Sequence, residues 1–335
     1  MLEVKKLNFN IGKFSLKDIN ITIDKGEYFV LLGPPGSGKS ILGECIAGLK
    51  KPGSGSILLN SKDVTEREPR DRRIGYVPQD YALIPFLTVR ENVCFGKKAK
   101  ELSAEETDEL LELTQIRHLA DRNPETLSGG EKQKTALARA LAIKPDILIL
   151  DEPVSALDEN TRESLCLELK RIQQKLKYTV YHISHIFEET LILADKIGII
   201  SDGEIVQSGK PEEIFQSPKS LFVAEFTRTR NIIPVSFLKQ KTDYNSFKAD
   251  DNASGVIRPE DVIILKPGET PPRGTPIAGI VTEVLKRYPL VWINLDCGID
   301  IWTVVLHRDL EAYGIESGKE INVILPEDQI KIISQ

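Results

Sequence analysis

Leu2 and Val4, then Ile19, Ile21 and Ile23, set apolar side chains at every second position, the period of a strand with one buried face. Tyr28-Phe29-Val30-Leu31-Leu32 breaks the alternation and reads as a buried strand. Residues 41–47 predict a helix, stopped at Gly48 and followed by turn residues through Gly55. Residues 56–60 and 72–77 read as strands, the second running into a loop that begins with Gln79. From about Thr88 to Ile143 the spacing is mostly helical. Ser103-Ala104-Glu105-Glu106 is a capping box ahead of Leu110, Leu111 and Leu113. A further helix begins at Ser128 and carries Ala136, Leu137, Ala140 and Leu141 on one face. Ile147-Leu148-Ile149-Leu150 is an unbroken apolar run, the mark of a strand in a parallel sheet covered on both sides. A helix over 159–175, a strand over 179–183, a helix over 187–194 and a strand over 196–201 complete an α/β alternation. Asp202-Gly203 then turns the chain into a returning strand at 204–207.

Past about residue 230 almost only short strands are expected, at 255–258, 262–265, 279–285, 290–295, 299–305, 321–325 and 329–333. Gly, Pro and Asn or Asp turns separate them, which predicts a small all-β barrel. The chain thus reads as two domains. Residues 1–230 form an α/β domain with a helical subdomain at about 88–143, and residues 231–335 form the barrel.

Composition narrows the class of function. The 335 residues are 41% hydrophobic, enough for a substantial core, and carry a net charge of −6 with no long single-sign block. A nucleic-acid partner bound through overall charge is not indicated. Cys45, Cys94, Cys166 and Cys297 are scattered without metal spacing and read as free buried thiols. Residues 1–6 lack a signal-peptide core, and no apolar run nears the ~20 residues of a membrane span. The chain is expected to be soluble, or to reach a membrane only through a partner.

Between the strand at 28–32 and the helix at 41–47 stands Gly33-Pro34-Pro35-Gly36-Ser37-Gly38-Lys39-Ser40, the strand–loop–helix pattern of a phosphate-binding P-loop. Its glycines let backbone N–H groups close on phosphate oxygens, and the helix N-terminus adds partial positive charge there. Lys39 is expected to reach the β- and γ-phosphates of ATP, and the Ser40 hydroxyl to ligate Mg²⁺. Asp151 ends an apolar strand, as Mg²⁺ positioning requires, and Glu152 follows it, where a carboxylate can polarise an attacking water. His185 follows the fourth parallel strand, where strand ends converge on a ligand, while His182 within that strand reads as core. Phe9 and Phe14 lie upstream of the loop, each either an adenine-stacking ring or a core residue.

Leu127-Ser128-Gly129-Gly130-Glu131-Lys132-Gln133 supplies a second helix N-terminus with a serine and two glycines. One chain does not need two such sites for one ATP; a second copy lending its Ser128–Gly130 to the facing ATP makes sense of both. With this element, residues 1 to about 230 resemble the nucleotide-binding subunits of ABC transporters. By position, Gly33–Ser40 match the family's Walker A motif, Asp151 the Walker B aspartate and Glu152 the catalytic glutamate. Gln79 matches the Q-loop glutamine, which joins Mg²⁺ and the attacking water to the transmembrane subunits. Leu127–Gln133 match the signature motif, Ser155-Ala156-Leu157-Asp158 the D-loop, and His185 the switch histidine at the γ-phosphate. The resemblance implies an α/β P-loop NTPase domain and an ATP- and Mg²⁺-dependent transport ATPase. It also implies a homodimer with Ser128, Gly129, Gly130 and Asp158 acting in trans. The partners would be two transmembrane permease subunits, at the cytoplasmic face of the membrane, and indirectly an extracytoplasmic solute-binding protein. Three positions depart from the family pattern. Ile41 stands where Thr is common, Glu131-Lys132-Gln133-Lys134 replaces Gln-Gln-Arg, and no Tyr or Trp stands near residue 10 or 11 to stack on adenine, leaving Phe9 as the substitute.

Gly255-Val256-Ile257-Arg258-Pro259-Glu260-Asp261-Val262 resembles a segment of the OB-like (TOBE/MOP-like) C-terminal barrel of importer ATPases. Residues 122–127 and 295–298 look most like molybdate/tungstate import ATPases. In that family the barrel can bind an oxyanion and inhibit transport. The matching stretch here, 271–279, keeps Arg273 and Gly279 but has Pro and Gly at the family's Ser and Asn positions. An oxyanion is therefore one candidate ligand, against a barrel that only stabilises the dimer. The alternatives are another solute, such as sulfate, sugar, polyamine or iron, and a soluble ABC switch outside transport. The segment 79–92 discriminates, with Phe86-Leu87-Thr88 as the expected permease contact.

Overall fold

The computed structural model describes residues 1–96, 101–155, 158–242, 250, 252–266, 269 and 274–333, with only the backbone of residue 188. Two compact units divide the chain, Met1–Ile214 and Phe215–Gln335. The division falls ahead of the expected boundary at 230. The reason is packing: Ala224 shares a buried cluster with Val256 and Ile333, so the segment after 214 belongs to the second core.

In the first unit, β1 (Leu2–Ile11), β2 (Phe14–Ile23), β4 (Ser54–Leu59) and β5 (Lys62–Asp63) form an antiparallel sheet in the order β2-β1-β4-β5. A second sheet runs β10-β9-β3-β8-β7-β6. Its members are β3 (Tyr28–Leu32), β6 (Ile74–Val77), β7 (Ile147–Asp151), β8 (Thr179–Ser184), β9 (Lys196–Ser201) and β10 (Glu204–Gly209). All its pairings are parallel except that of β10 with β9. Every residue of β3, β7 and β8 is buried, which is why these strands carry no alternation. Helix α1 (Lys39–Ala47) lies in a core shared by both sheets, where Leu42 and Ile46 belong to one cluster with Leu2, Ile21, Ile149 and Ile183. The C-terminus of α1 is capped by Arg72, whose buried guanidinium donates to the carbonyls of Cys45 and Ile46 at 2.9 and 2.8 Å. It also holds Thr65 and Arg67 carbonyls at 2.8 and 2.9 Å. A cation at that end complements the helix dipole.

Helices α2 (Val89–Val93), α3 (Ala104–Leu113) and α4 (Gly129–Ala142) make the expected helical subdomain. Each opens with a capping box, Thr88/Glu91, Ser103/Glu106 and Ser128/Glu131. Val93, Leu111, Leu119, Leu127 and Ala138 give the subdomain a cluster of its own. Helices α5 (Glu159–Leu176), α6 (Phe187–Leu193) and α7 (Pro211–Gln216) follow in order.

The second unit holds helices α8 (Leu221–Phe226) and α9 (Val235–Lys241) and strands β11 (Asn231–Pro234) to β18 (Lys331–Ile333). The strands between are β12 (Ser254–Ile257), β13 (Ile263–Ile264), β14 (Ile277–Arg287), β15 (Leu290–Asp296), β16 (Asp300–Leu306) and β17 (Glu320–Ile324). They form a three-stranded sheet, β11-β12-β18, and a five-stranded one, β13-β17-β14-β15-β16, around a large apolar cluster, with the smaller one at Ala224, Val256 and Ile333 beside α8. The expected strands are present, although 262–265 shortens to Ile263–Ile264 and 329–333 to Lys331–Ile333. Helix α9 corrects the reading of this region as almost only strands: Leu238 is fully buried in the core. Side chains close the gaps between ladders. Asn231, itself buried, exchanges two hydrogen bonds with the backbone of Trp302, at 2.7 and 2.8 Å. Thr303 donates to the Val262 carbonyl at 3.1 Å. Cys45, Cys166 and Cys297 are buried free thiols as expected, whereas Cys94 is only partly buried. Among the described residues no helix is long and apolar enough to cross a membrane.

Candidate active site

The P-loop leaves β3 at its carboxyl end and passes so close to β9 that a Cβ on Gly33 would lie 2.3 Å from the Ile200 carbonyl. Gly38 caps α1 at φ +102°, and a Cβ there would lie 2.5 Å from the Phe14 ring. Only glycine satisfies both the angle and the contact. Of the two upstream phenylalanines, Phe14 thus lies against the loop. Phe9 pairs with Leu16 across β1 and β2, and both phenylalanines pack on the core.

Lys39 is 5% exposed, and its Nζ donates to the loop's own Gly33 and Pro34 carbonyls, both at 2.9 Å. Burial pulls its pKa down, with Glu152 and Asp151 acting against the shift. Ser37 Oγ is buried and has no hydrogen-bond partner among the described residues. An orphaned hydroxyl inside a glycine-rich loop at a helix N-terminus fits a phosphate oxygen.

Asp151 accepts hydrogen bonds from Ser40 Oγ at 3.0 Å and from the Tyr76 hydroxyl at 3.1 Å. It is 5% exposed. Burial holds its carboxyl above the usual range, although both hydrogen bonds favour the ion. A buried carboxylate beside a hydroxyl is a hard oxygen donor set, and it fits a divalent cation such as Mg²⁺.

Glu152 follows directly. It takes φ +47°, a strained conformation for a side-chain-bearing residue, and its N–H donates to the Ile183 carbonyl at 3.0 Å. That turn aims the carboxylate between two loops. Gln79 Nε2 donates to Oε2 at 3.3 Å, and His185 Nδ1 lies 3.3 Å from Oε1. The P-loop, Gln79, Glu152 and His185 follow β3, β6, β7 and β8, neighbours in one parallel sheet, so all four gather at its carboxyl edge. His182 is fully buried, with Nδ1 2.9 Å from the Tyr28 hydroxyl, a core residue as expected.

Ser128 is exposed at the start of α4, where it exchanges hydrogen bonds with Glu131 in the capping box. Gly129 is exposed and Gly130 partly so. No hydrogen bond among the described residues joins these three to the P-loop. Asp158 caps α5 by accepting the Thr161 N–H at 3.1 Å. Ala156, Leu157, Pro271, Pro272 and Arg273 lie outside the described residues.

Sequence reasoning missed three supporting residues. Tyr76 reaches Asp151 only because β6 and β7 are in parallel register. Arg139 on α4 donates to the Tyr81 and Ala82 carbonyls at 2.7 and 2.6 Å, and both residues have positive φ in the loop after Gln79. Asn92, fully buried, accepts the Ile84 N–H and donates to the Ile84, Leu87 and Thr88 carbonyls, which leaves Phe86 82% exposed. Nothing in the spacing of these three marks them beforehand.

The model of the ABC transporter family matches residues 16–155. The Molybdate/tungstate import ATP-binding protein WtpC of Pyrococcus abyssi is 37% identical over 99% of this chain and 100% of its own length. The chain belongs to the ABC transporter family. Within that family, the protein of the same name from Methanocaldococcus jannaschii is 44% identical over 79% of this chain and 82% of the relative. The Sulfate/thiosulfate import ATP-binding protein CysA of Synechococcus elongatus is 42% identical over 70% of each. Among solved ABC structures, a dimeric post-hydrolysis state of the ATP-binding cassette MJ0796 bound to ADP and Pi superposes with a TM-score of 0.55 at 31% identity. It covers 63% of this chain and 99% of that one. The ABC ATPase fold of the first unit is thereby shared with experimentally solved cassettes.

Proposed function

We propose that this chain is the ATP-binding and ATP-hydrolysing subunit of an ABC importer, energising uptake of molybdate or tungstate. The observation that carries the hydrolytic reading is the convergence of Gln79 and His185 on Glu152, beside the Ser40–Asp151 pair. Lys39 turns from the Gly33 and Pro34 carbonyls to the β- and γ-phosphates, and the amides of the loop bind the remaining oxygens. Ser40, Gln79 and Asp151 would hold Mg²⁺, which when bound neutralises charge on the phosphates. Glu152 orients the attacking water and takes its proton as the new P–O bond forms and the bond to ADP breaks. His185 steadies the γ-phosphate from the other side. Glu152→Gln is expected to lower kcat at least about 100-fold while ATP binding persists, measured by phosphate release and nucleotide titration. Wild-type hydrolysis in that variant overturns the assignment.

The working form is a homodimer in which Ser128, Gly129, Gly130 and Asp158 of one copy complete the other's site. It sits peripherally at the membrane on two permease subunits, served by an extracytoplasmic binding protein. The exposed Phe86, on a loop braced by Asn92 and Arg139, supports permease docking over a soluble switch. The solute rests on the relatives, and the sulfate relative keeps sulfate as the second reading. Cells lacking this chain are expected to lose tungstate and molybdate uptake but keep sulfate uptake; the reverse would install sulfate. Oxyanion binding by the second unit is tested by equilibrium dialysis with tungstate.

A further inference from the structure

Behind His185 lies a buried acidic group that none of these roles uses. Glu189 on α6 is 3% exposed. Ser184, the last residue of β8 and 2% exposed, donates its hydroxyl to Glu189 Oε2 at 2.9 Å. The same Ser184 Oγ accepts the Ile186 N–H at 2.9 Å, closing a turn with His185 at its centre. Glu189 Oε1 faces Arg162 Nε on α5 at 3.8 Å. The Arg162 backbone N–H in turn donates to the Asp158 carbonyl at 2.9 Å, in the first turn of α5. A carboxylate this deeply buried persists only where hydrogen bonds and opposite charge offset its desolvation. Here those contacts run to the His185 turn on one side and to the start of α5 on the other. His182 Nε2 lies 3.9 Å from Glu189 Oε2, but burial pushes its pKa down to about 3, so it stays neutral and adds no charge to the Arg162 contact. The His185 side chain is 40% exposed, so packing fixes it weakly and its aim at Glu152 depends on its backbone turn.

We propose that Glu189 is a positioning residue for ATP hydrolysis, tying the Ser184-His185-Ile186 turn to the first turn of α5 so that His185 stays aimed at Glu152 and follows the Asp158 end of that helix. The inference rests on the reading of His185 and Glu152 as parts of the hydrolytic site. It is tested by steady-state hydrolysis of Mg·ATP by the purified full chain, comparing Glu189→Ala, Glu189→Gln and Ser184→Ala, with hydrogen exchange of residues 184–190 in the same proteins. Glu189→Ala is expected to lower kcat about tenfold with the KM for ATP within about twofold, because the loss falls on a step after binding. Glu189→Gln still accepts the Ser184 hydroxyl and is expected to recover part of that kcat. Exchange over 184–190 should quicken in Glu189→Ala while protection elsewhere in the unit holds. Wild-type kcat in all three variants, a rise in KM matching the loss, or unchanged exchange at 184–190 overturns the proposal. If Glu189→Ala does not fold, Glu189→Gln and Ser184→Ala carry the comparison. His185→Ala separates the two layers. If it hydrolyses at the wild-type rate, the reading of His185 fails and the inference with it; if it is inactive while the Glu189 variants match wild type, the positioning role alone fails.

Discussion

Asp151 meets opposed demands at the scale of a single residue. The proposed Mg²⁺ site needs it ionised, yet burial raises its carboxyl pKa above the ordinary 3.8. A carboxyl raised in this way contributes stability below its unfolded pKa and loses it as pH climbs through the folded value. At neutral pH the ion therefore weighs on the ligand-free fold. Asp151→Asn is expected to raise the ligand-free Tm at pH 7 by about 2–4 °C, with the gain shrinking toward pH ~4, and to abolish hydrolysis. Scanning fluorimetry across pH reads the first effect, and a lowered Tm at pH 7 would contradict it. His182 has the opposite sign. Its pKa falls from 6.5 to about 3 through burial, so its contribution is present above pH ~6.5 and is lost as pH falls toward ~3. This one proton is expected to add up to about 1.4 kcal/mol per pH unit of destabilisation in that window, seen as a falling urea midpoint. His182→Gln should flatten that slope.

At the scale of an element, the P-loop helix shows how much of the site is held from behind. Arg72 spends its donors on four carbonyls, two of them at the end of α1. Arg72→Met is expected to cost at least about 2 kcal/mol in urea unfolding, because buried carbonyls lose charged donors. Arg72→Lys should not rescue it, since an ammonium lacks the fork that reaches all four. The capping box at Ser103 was legible because the Ser-x-x-Glu spacing is itself the mechanism; the same box at Ser128 emerged only in the structure. The P-loop and the strands 28–32 and 147–150 were legible for the same kind of reason: a local pattern with one structural solution. Helix α9 was not, because its short apolar run has no side-chain cap at its N-terminus and is decided by where Leu238 finds a core.

For the whole molecule, Ser128 and Gly129 are exposed, and the proposed dimer, in which they complete the facing site, makes assembly depend on ATP. Glu152→Gln, which should hold ATP without turning it over, is expected to elute as a dimer with ATP and as a monomer without it. Adding Ser128→Arg should abolish that shift, because the guanidinium would crowd the facing phosphates. Light scattering behind gel filtration decides both; a dimer that forms equally without ATP would contradict the prediction.

Residue order alone determined the chemistry offered by the chain: glycines and a lysine before a helix, a carboxylate pair after an apolar strand, a serine-glycine cap, a lone histidine. These are short-range patterns, and each states what its few residues can bind. Tertiary structure alone decided which of them meet. Parallel register set Tyr76 beside Asp151, the strained turn at Glu152 aimed it at Gln79 and His185, and the fold laid Phe14 beside Gly38. It also buried Glu189 behind the histidine. Contacts between residues far apart in the chain depend on how sheets and helices pack, and no local spacing encodes that distance.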